Sequence, residues 1–226
     1  MNPRHAENTI GVLASGGLDS SILIGHLLRQ RRRVQPFYVR TGLHWQRGES
    51  AALGRFLAAV ATDDLAQLVV LDLPLADLYN GHWSLTGREI PAADSPDEAV
   101  FLPGRNALLI VKAAVWCQLY AVGELAMAPL GTSPFGDASE AFFRDFEAAI
   151  NHGSQVRVRL TRPFGTMDKR QVMSLGRDLP LELTFSCLSP VGELHCGKCN
   201  KCAERQAAFR NANMEDRTPY AARFES

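Results

Sequence analysis

Thr9-Ile10-Gly11-Val12-Leu13-Ala14-Ser15-Gly16-Gly17-Leu18-Asp19-Ser20-Ser21 decides the fold of this chain. Thr9 to Leu13 is a short apolar run, Gly16 and Gly17 bend the backbone, and over residues 20–30 the spacing of Ile22, Leu23, Leu27 and Leu28 is that of a helix face. A strand that turns through glycines into a helix leaves backbone N–H groups free at the positive helix end, a cradle for phosphate or pyrophosphate. Gly16 and Gly17 let the backbone approach such a ligand, Ala14 and Leu18 flank the turn, and Ser15, Ser20 and Ser21 add hydroxyl donors. Asp19 is out of place in an anion cradle unless Mg²⁺ or structural hydrogen bonds offset its charge. An ordinary strand-to-helix turn with Asp19 or Ser20 as N-cap uses the same residue types. The pattern is neither a Walker loop, which needs Gly-Lys-Ser/Thr, nor a dinucleotide Gly-x-Gly-x-x-Gly turn.

Outward from this stretch, strands and helices alternate. Residues 34–39 and 68–71 read as strands with a helix over 47–61 between them, and 105–121 as a helix before a strand at 125–130. Glu140–Asn151 carries Phe142, Phe143, Phe146 and Ile150 on one side of a helix, and residues 156–160 alternate as a strand. The reading is an α/β fold, a parallel five-stranded sheet with helices on both faces. Residues 74–103, interrupted by Gly81, Gly87, Pro91 and Pro96, form a long loop with one short helix at most, of the kind that is functional or mobile. After Lys169 come a helix, a cysteine-bearing loop and a helix over 199–211. A boundary within 163–167 divides a nucleotide-binding domain, 1–165, from a helical metal-binding segment, 166–226, too short for a core of its own.

The 226 residues are 46% hydrophobic and 21% charged with zero formal net charge, ordinary for a globular protein of one sizeable domain. Neutrality, and a mean hydropathy of -0.09, give no general attraction to nucleic acid or acidic lipid. The run Arg29-Gln30-Arg31-Arg32-Arg33 closes a predicted helix, where cations favour the macrodipole, and is read so in preference to a nucleic-acid patch. No apolar stretch reaches the roughly 20 residues of a membrane span, and Met1 to His5 lead into a strand instead of a signal-peptide core, so a cytoplasmic protein is expected.

Four of the five cysteines, Cys187, Cys196, Cys199 and Cys202, follow C-x8-C-x2-C-x2-C spacing. Four thiolates close a tetrahedral shell around Zn²⁺ with no open position, which makes the metal structural; an iron–sulfur cluster or four free thiols are the competing readings. His195 is an alternative ligand only if a cysteine is not used. Lys198 and Lys201 offset thiolate charge, and Cys117 is a small core residue.

Ser15, Gly16, Gly17, Asp19 and Ser20 match the Ser-Gly-Gly-x-Asp-Ser signature of the PP-loop ATP pyrophosphatases. With Pro103-Gly104-Arg105-Asn106, Thr184-Phe185-Ser186-Cys187 and the cysteine tail in this order, nearly the whole chain resembles the 7-cyano-7-deazaguanine synthases, the QueC or ExsB-like branch of that group. The resemblance implies an adenine nucleotide alpha-hydrolase-like, Rossmann-like fold, a homodimer, and a ligase reaction. In that reaction ATP adenylates the carboxylate of 7-carboxy-7-deazaguanine, ammonia displaces AMP, and a second ATP dehydrates the amide to the nitrile. On this reading residues 14–21 with Arg105 and Asn106 hold the nucleotide with Mg²⁺, and Asp19, Arg105 and Lys169 carry the catalysis. Tyr38, Thr132, Phe135 and Asp137 form the base pocket, with Trp45 a further stacking candidate, and the cysteines hold structural Zn²⁺.

The family's tyrosine-rich segment after the fourth strand is here Gly131-Thr132-Ser133-Pro134-Phe135-Gly136-Asp137-Ala138-Ser139, and its Tyr-Gly-Gln after the second strand is replaced by Tyr38-Val39-Arg40-Thr41-Gly42. These departures open substrate and acceptor to change. The alternatives are a related ligase passing a similar acid to another amine, of a small molecule or protein, and a regulatory module that binds ATP without chemistry. A zinc-ribbon nucleic-acid binder lacks the basic excess and aromatic clusters it needs.

Overall fold

The computed structural model describes residues 9–222; the reading of Met1 to His5 lies outside the described residues. The chain runs β1 (Thr9–Leu13), α1 (Leu18–Arg29), β2 (Arg33–Arg40), α2 (Gln46–Ala59) and β3 (Val69–Asp72), then α3 (Trp83–Thr86) and α4 (Arg105–Leu119). It continues through β4 (Glu124–Ala126), α5 (Glu140–Asn151), β5 (Arg159–Thr161), α6 (Lys169–Leu175) and α7 (Asn200–Asn211). The five strands pair in parallel in the order β3-β2-β1-β4-β5.

Strand pleat sorts the core between the two faces. Ile10, Val12, Val34 and Tyr38 point into one apolar layer with Ile22 and Leu23 of α1 and Leu53 and Phe56 of α2. Leu13, Phe37 and Val39 point the other way, against Ile110, Ala113, Ala114 and Cys117 of α4 and Phe143 of α5. Val172 and Met173 of α6 and Ala208 and Phe209 of α7 join the first layer, so the C-terminal segment shares its core with the sheet. Cys117 is fully buried, its thiol pushed up to about 12 by burial, an inert packing residue.

Four local expectations change. Helix α1 starts at Leu18 with Gly17 as an extended N-cap that makes no side-chain cap bond, so Asp19 lies inside the first turn and neither it nor Ser20 is the cap. Strand β5 begins only at Arg159, because the buried Asn151 side chain takes the backbone of Val158, accepting from its N–H at 2.8 Å and donating to its carbonyl at 2.9 Å. Strand β4 ends at Ala126, and α4 ends at Leu119, followed by Ala121 in the left-handed region. Of the basic run, Arg29 donates to the Leu175 carbonyl and Arg32 to Glu124 at 3.0 Å.

The strand order reverses between β1 and β4, and a crevice opens there at their carboxyl ends, where open α/β sheets bind ligands. The glycine turn leaves β1 at this point and the 127–139 segment leaves β4. No helix among the described residues is long and apolar enough to cross a membrane.

Candidate nucleotide site and cysteine centre

Gly16 sits at φ +79°, and a Cβ there would come within 2.8 Å of the Glu49 carbonyl, so the tight bend needs glycine. Ser20 Oγ turns back to accept from the Ser15 N–H at 3.2 Å, and Ser15 Oγ accepts from the Gly17 N–H at 3.3 Å. These bonds shape the loop from within, and Leu18, Asp19 and Ser20 of the first turn of α1 line the crevice. The Gly16 carbonyl accepts from the Phe185 N–H at 2.7 Å, which ties the loop to the segment that enters the cysteines.

Asp19 is answered by Lys169 at the start of α6, whose Nζ donates to both carboxylate oxygens at 2.9 and 2.8 Å. Lys169 also pairs with Glu204 at 3.2 Å, and Glu204 with Lys201 at 2.6 Å. Burial works against the Lys169 charge, but the carboxylates of Asp19 and Glu204 outweigh it and lift its pKa above the usual lysine value. Glu204 is likewise opposed by burial, yet Lys169 and Lys201 hold it down to about 2. Lys201, expected to face the thiolates, is turned to this carboxylate. Arg205 is 2% exposed and donates to Thr218 Oγ1, Thr184 Oγ1, Ser186 Oγ and the Leu181 carbonyl, every acceptor neutral. Burial works against its charge and lowers its pKa, while Tyr220, Asp216 and Cys202 favour the charged form.

These groups line a cavity of about 300 Å³, a volume suited to a small ligand. Ser15, Gly17, Leu18, Asp19, Ser20 and Lys169 line it with Arg105, Asn106, Phe135 and Asp137. The long loop supplies Trp83, Val100, Phe101 and Leu102. That loop is pinned by bonds from Tyr79 Oη to the Pro103 carbonyl and from the Asn200 N–H to the Pro91 carbonyl. Phe135 stacks on Phe101 at 5.4 Å, and Trp45 on Trp83 at 5.7 Å, so flat apolar faces meet the charged lining. Arg105 Nε and Asp137 Oδ1 are buried with no protein partner, atoms of the sort a ligand satisfies. Burial raises the Asp137 carboxyl above the usual range.

Five of the sequence-based candidates do not line the cavity: Gly16 makes the bend itself, and four others stand apart. Ala14 is buried beneath the turn, Ser21 is buried with Oγ unpartnered, and Thr132 is exposed outside the cavity lining. Tyr38 is also buried, its hydroxyl bonded to Glu49 Oε2 at 3.2 Å, so it meets the cavity only through that residue. Glu49 itself, with Glu204 and Arg205, was not singled out from sequence. The signal for Glu49 is its place four residues after Trp45, whose indole N–H it accepts at 3.1 Å; that for Glu204 is its spacing three residues after Lys201 in the turn that carries Cys202.

Burial pushes the Glu49 carboxyl up to about 7, against the Arg105 charge and the bonds from Tyr38 and Trp45. Since that lies above an unfolded glutamate, its contribution to stability falls as pH climbs from the ordinary carboxyl range to about 7. Tyr38 from β2, Trp45 at the start of α2 and Arg105 from α4 are the polar groups around it. Tryptophan emission followed against pH is expected to show a transition near 7, as the indole bond to Glu49 becomes charge-assisted, and Glu49→Gln to lack it. A flat wild-type profile from about pH 5 to 9 would contradict this assignment.

The four cysteine Sγ atoms lie within 4.8 Å of one another, all buried. A tetrahedral Zn–S shell with bonds of about 2.3 Å has sulfur–sulfur edges of about 3.8 Å, and Cys196 and Cys202 are 3.8 Å apart. Backbone N–H groups of Ser189 and Cys196 donate to Cys187 Sγ, those of Lys198 and Cys199 to Cys196 Sγ, and that of Leu188 to Cys199 Sγ. Such donors stabilise thiolates, and sulfurs this close surround one ion instead of straddling a cluster, so the group could hold a metal such as zinc. Gly197, at φ +77°, has the Ala222 carbonyl where a Cβ would stand, so the knuckle closes only on glycine. His195 is not among these ligands: its Nε2 accepts from the Ser186 N–H at 3.0 Å, and burial with the Arg205 charge drives its pKa down to about 3.

A five-stranded, doubly wound parallel sheet with a glycine turn at the switch point defines a Rossmann-like α/β fold. Residues 9–213 match the family described as "Queuosine biosynthesis protein QueC". The chain belongs to this family. It is 32% identical over 228 residues to the 7-cyano-7-deazaguanine synthase of Methanopyrus kandleri, covering 94% of this chain and 98% of that one. To the 7-cyano-7-deazaguanine synthase of Desulfotalea psychrophila it is 28% identical over 218 residues, 92% and 97% of the two chains. Among solved structures, a predicted subunit of tRNA methyltransferase from Methanocaldococcus jannaschii aligns with a TM-score of 0.46 at 14% identity, over 74% and 73% of the two chains.

Proposed function

We propose that this chain is an ATP-dependent carbon–nitrogen ligase that adenylates a deazapurine carboxylate, 7-carboxy-7-deazaguanine, and converts it with ammonia to the nitrile. The observation that carries the proposal is the Asp19–Lys169 pair over the glycine cradle, at the switch point of a sheet that belongs to the family. The cradle N–H groups and Lys169 hold the β- and γ-phosphates, and Asp19 helps bind Mg²⁺. A carboxylate oxygen of the acid attacks the α-phosphorus, and the α–β bridging bond breaks to release pyrophosphate. Ammonia then adds to the acyl carbon of the mixed anhydride, loses a proton, and AMP departs with the carboxylate oxygen to leave the amide. A second ATP adenylates the amide oxygen with release of pyrophosphate, and loss of AMP with that oxygen and of the two N–H protons gives the nitrile. Cradle donors that meet the growing negative charge of pyrophosphate favour the transition state over the bound substrate.

Arg105 and Asp137, each with an unpartnered buried atom, are assigned to the substrate, Arg105 to its carboxylate and Asp137 to the N–H edge of the base. Phe135 and Phe101 provide the stacking face. Zn²⁺ at the cysteines is structural. The protein works in the cytoplasm on small molecules, without nucleic acid or membrane, as a homodimer. Support for the dimer is the apolar stripe of Val111, Val115 and Leu119 on α4, 42%, 44% and 76% exposed and spaced by one helical turn.

Mass spectrometry of zinc-loaded protein with ATP, 7-carboxy-7-deazaguanine and ammonium tests the reading. AMP, pyrophosphate and the nitrile are expected, and ATP left intact by folded protein would end the nitrile-forming assignment. The replacement of the family's tyrosine-rich segment by 131–139 favours one second reading, in which the adenylate passes to another amine. ATP is then consumed with the acid only when that amine is supplied.

A further inference from the structure

The cysteine centre is joined to the nucleotide cradle by two separate chain connections. The first leaves Cys187: two residues upstream, the Phe185 N–H donates to the Gly16 carbonyl at 2.7 Å, and Cys187 itself lines the cavity. The second runs along α7, whose N-cap is Cys199 and whose first turn carries Cys202. Glu204 follows in the next turn, 3.2 Å from the Lys169 Nζ that grips Asp19. Arg205, one residue further, ties the two connections together through Thr184 and Ser186. A shift of α7 or of residues 184–187 therefore moves the carbonyl side of the glycine turn and the lysine opposite it together.

We infer that metal at the four cysteines and nucleoside triphosphate in the cradle bind cooperatively, and that Glu204 is the positioning residue that transmits the coupling by holding Lys169 over Asp19. The inference rests on the nucleotide reading given under Proposed function. It extends that reading, because a purely remote staple would stabilise the chain without changing nucleotide affinity. Linkage makes the effect reciprocal: whatever factor metal adds to nucleotide affinity, nucleotide adds to metal affinity. Glutamine at 204 keeps the side-chain shape and an oxygen that can accept from Lys201, but loses the charge that holds Lys169.

The test measures equilibrium zinc affinity by competition with a chromophoric chelator, with and without magnesium and α,β-methylene-ATP, alongside calorimetric titration of that analogue. In the wild type, saturating analogue is expected to tighten zinc binding by about tenfold. Glu204→Gln is expected to keep one zinc per chain and a cooperative melt at a somewhat lower temperature, since it loses the charge that Lys169 and Lys201 stabilise, to bind the analogue about tenfold more weakly, and to hold zinc with an affinity the analogue no longer alters. Wild-type protein that binds the analogue but holds zinc equally tightly with and without it overturns the coupling, and the nucleotide reading survives. Unchanged analogue affinity in Glu204→Gln removes the role of that residue. Zinc-loaded wild type that binds no analogue at all overturns the nucleotide reading and the coupling with it.

Discussion

Asp19→Ala is expected to lower the rate of pyrophosphate release from ATP by about 10²–10³-fold in kcat/KM, the loss seen when one preorganised charged or hydrogen-bonding group is taken from a transition state. Asp19 occupies the first turn of α1 and takes both of its bonds from Lys169, so its removal leaves that ammonium drawn to Glu204 alone. The cradle also loses its carboxylate for Mg²⁺. Neither change opens the core, because the Asp19 side chain is 28% exposed, and the melting temperature should stay within a few degrees of wild type. Lys169→Ala is expected to act in the same direction. The double variant should lose less than the product of the two single losses, since both variants break one pair. A release rate unaffected by Asp19→Ala would remove Asp19 from the chemistry, and wild-type protein that binds ATP but releases no pyrophosphate with any acid would return the chain to the reading of a module that holds ATP without chemistry.

Loss of the metal is expected to have the largest effect on stability. Cys202 is fully buried at the centre of a cluster with Phe185, Leu188, Trp45 and Leu102, and Cys202→Ser leaves three thiolates for the shell. Structural zinc contributes its binding free energy to folding, and losing even about 3–5 kcal/mol of it lowers the melting temperature of a chain this long by about 10 °C or more. Calorimetry of Cys202→Ser, and of wild type dialysed against a strong chelator, should show the same fall. Cys117→Ala, in the opposite core layer, should retain one zinc per chain. Equal metal content in Cys202→Ser and wild type would contradict the assignment of the four ligands.

Much of the fold could be read from pattern because it depends on local rules. The apolar strand, the glycine bend and the 3.6-residue spacing of Ile22, Leu23 and Leu27 concern neighbours in sequence, and the structure places β1 and α1 there. The start of β5 could not be read this way, because a side chain seven residues before Val158 takes the backbone bonds that a strand would use. The four cysteines were legible from spacing alone. Glu49, Glu204 and Arg205 were not, because each matters through contacts brought together by folding: Glu204 with Lys169, thirty-five positions apart in sequence, and Arg205 with Thr184. Tyr38 shows the opposite case, a residue prominent in the sequence that folding buries behind Glu49.

The central claim, that the bend after β1 holds ATP while an acid takes its AMP, is tested most directly with ¹⁸O in the carboxylate of 7-carboxy-7-deazaguanine. Zinc-loaded protein, Mg-ATP, ammonium and the labelled acid are allowed one turnover, and AMP is analysed by mass spectrometry. The account predicts one ¹⁸O in the AMP phosphate, carried over when the acyl–oxygen bond of the adenylate breaks. AMP without label, or label found in inorganic phosphate instead, would contradict it.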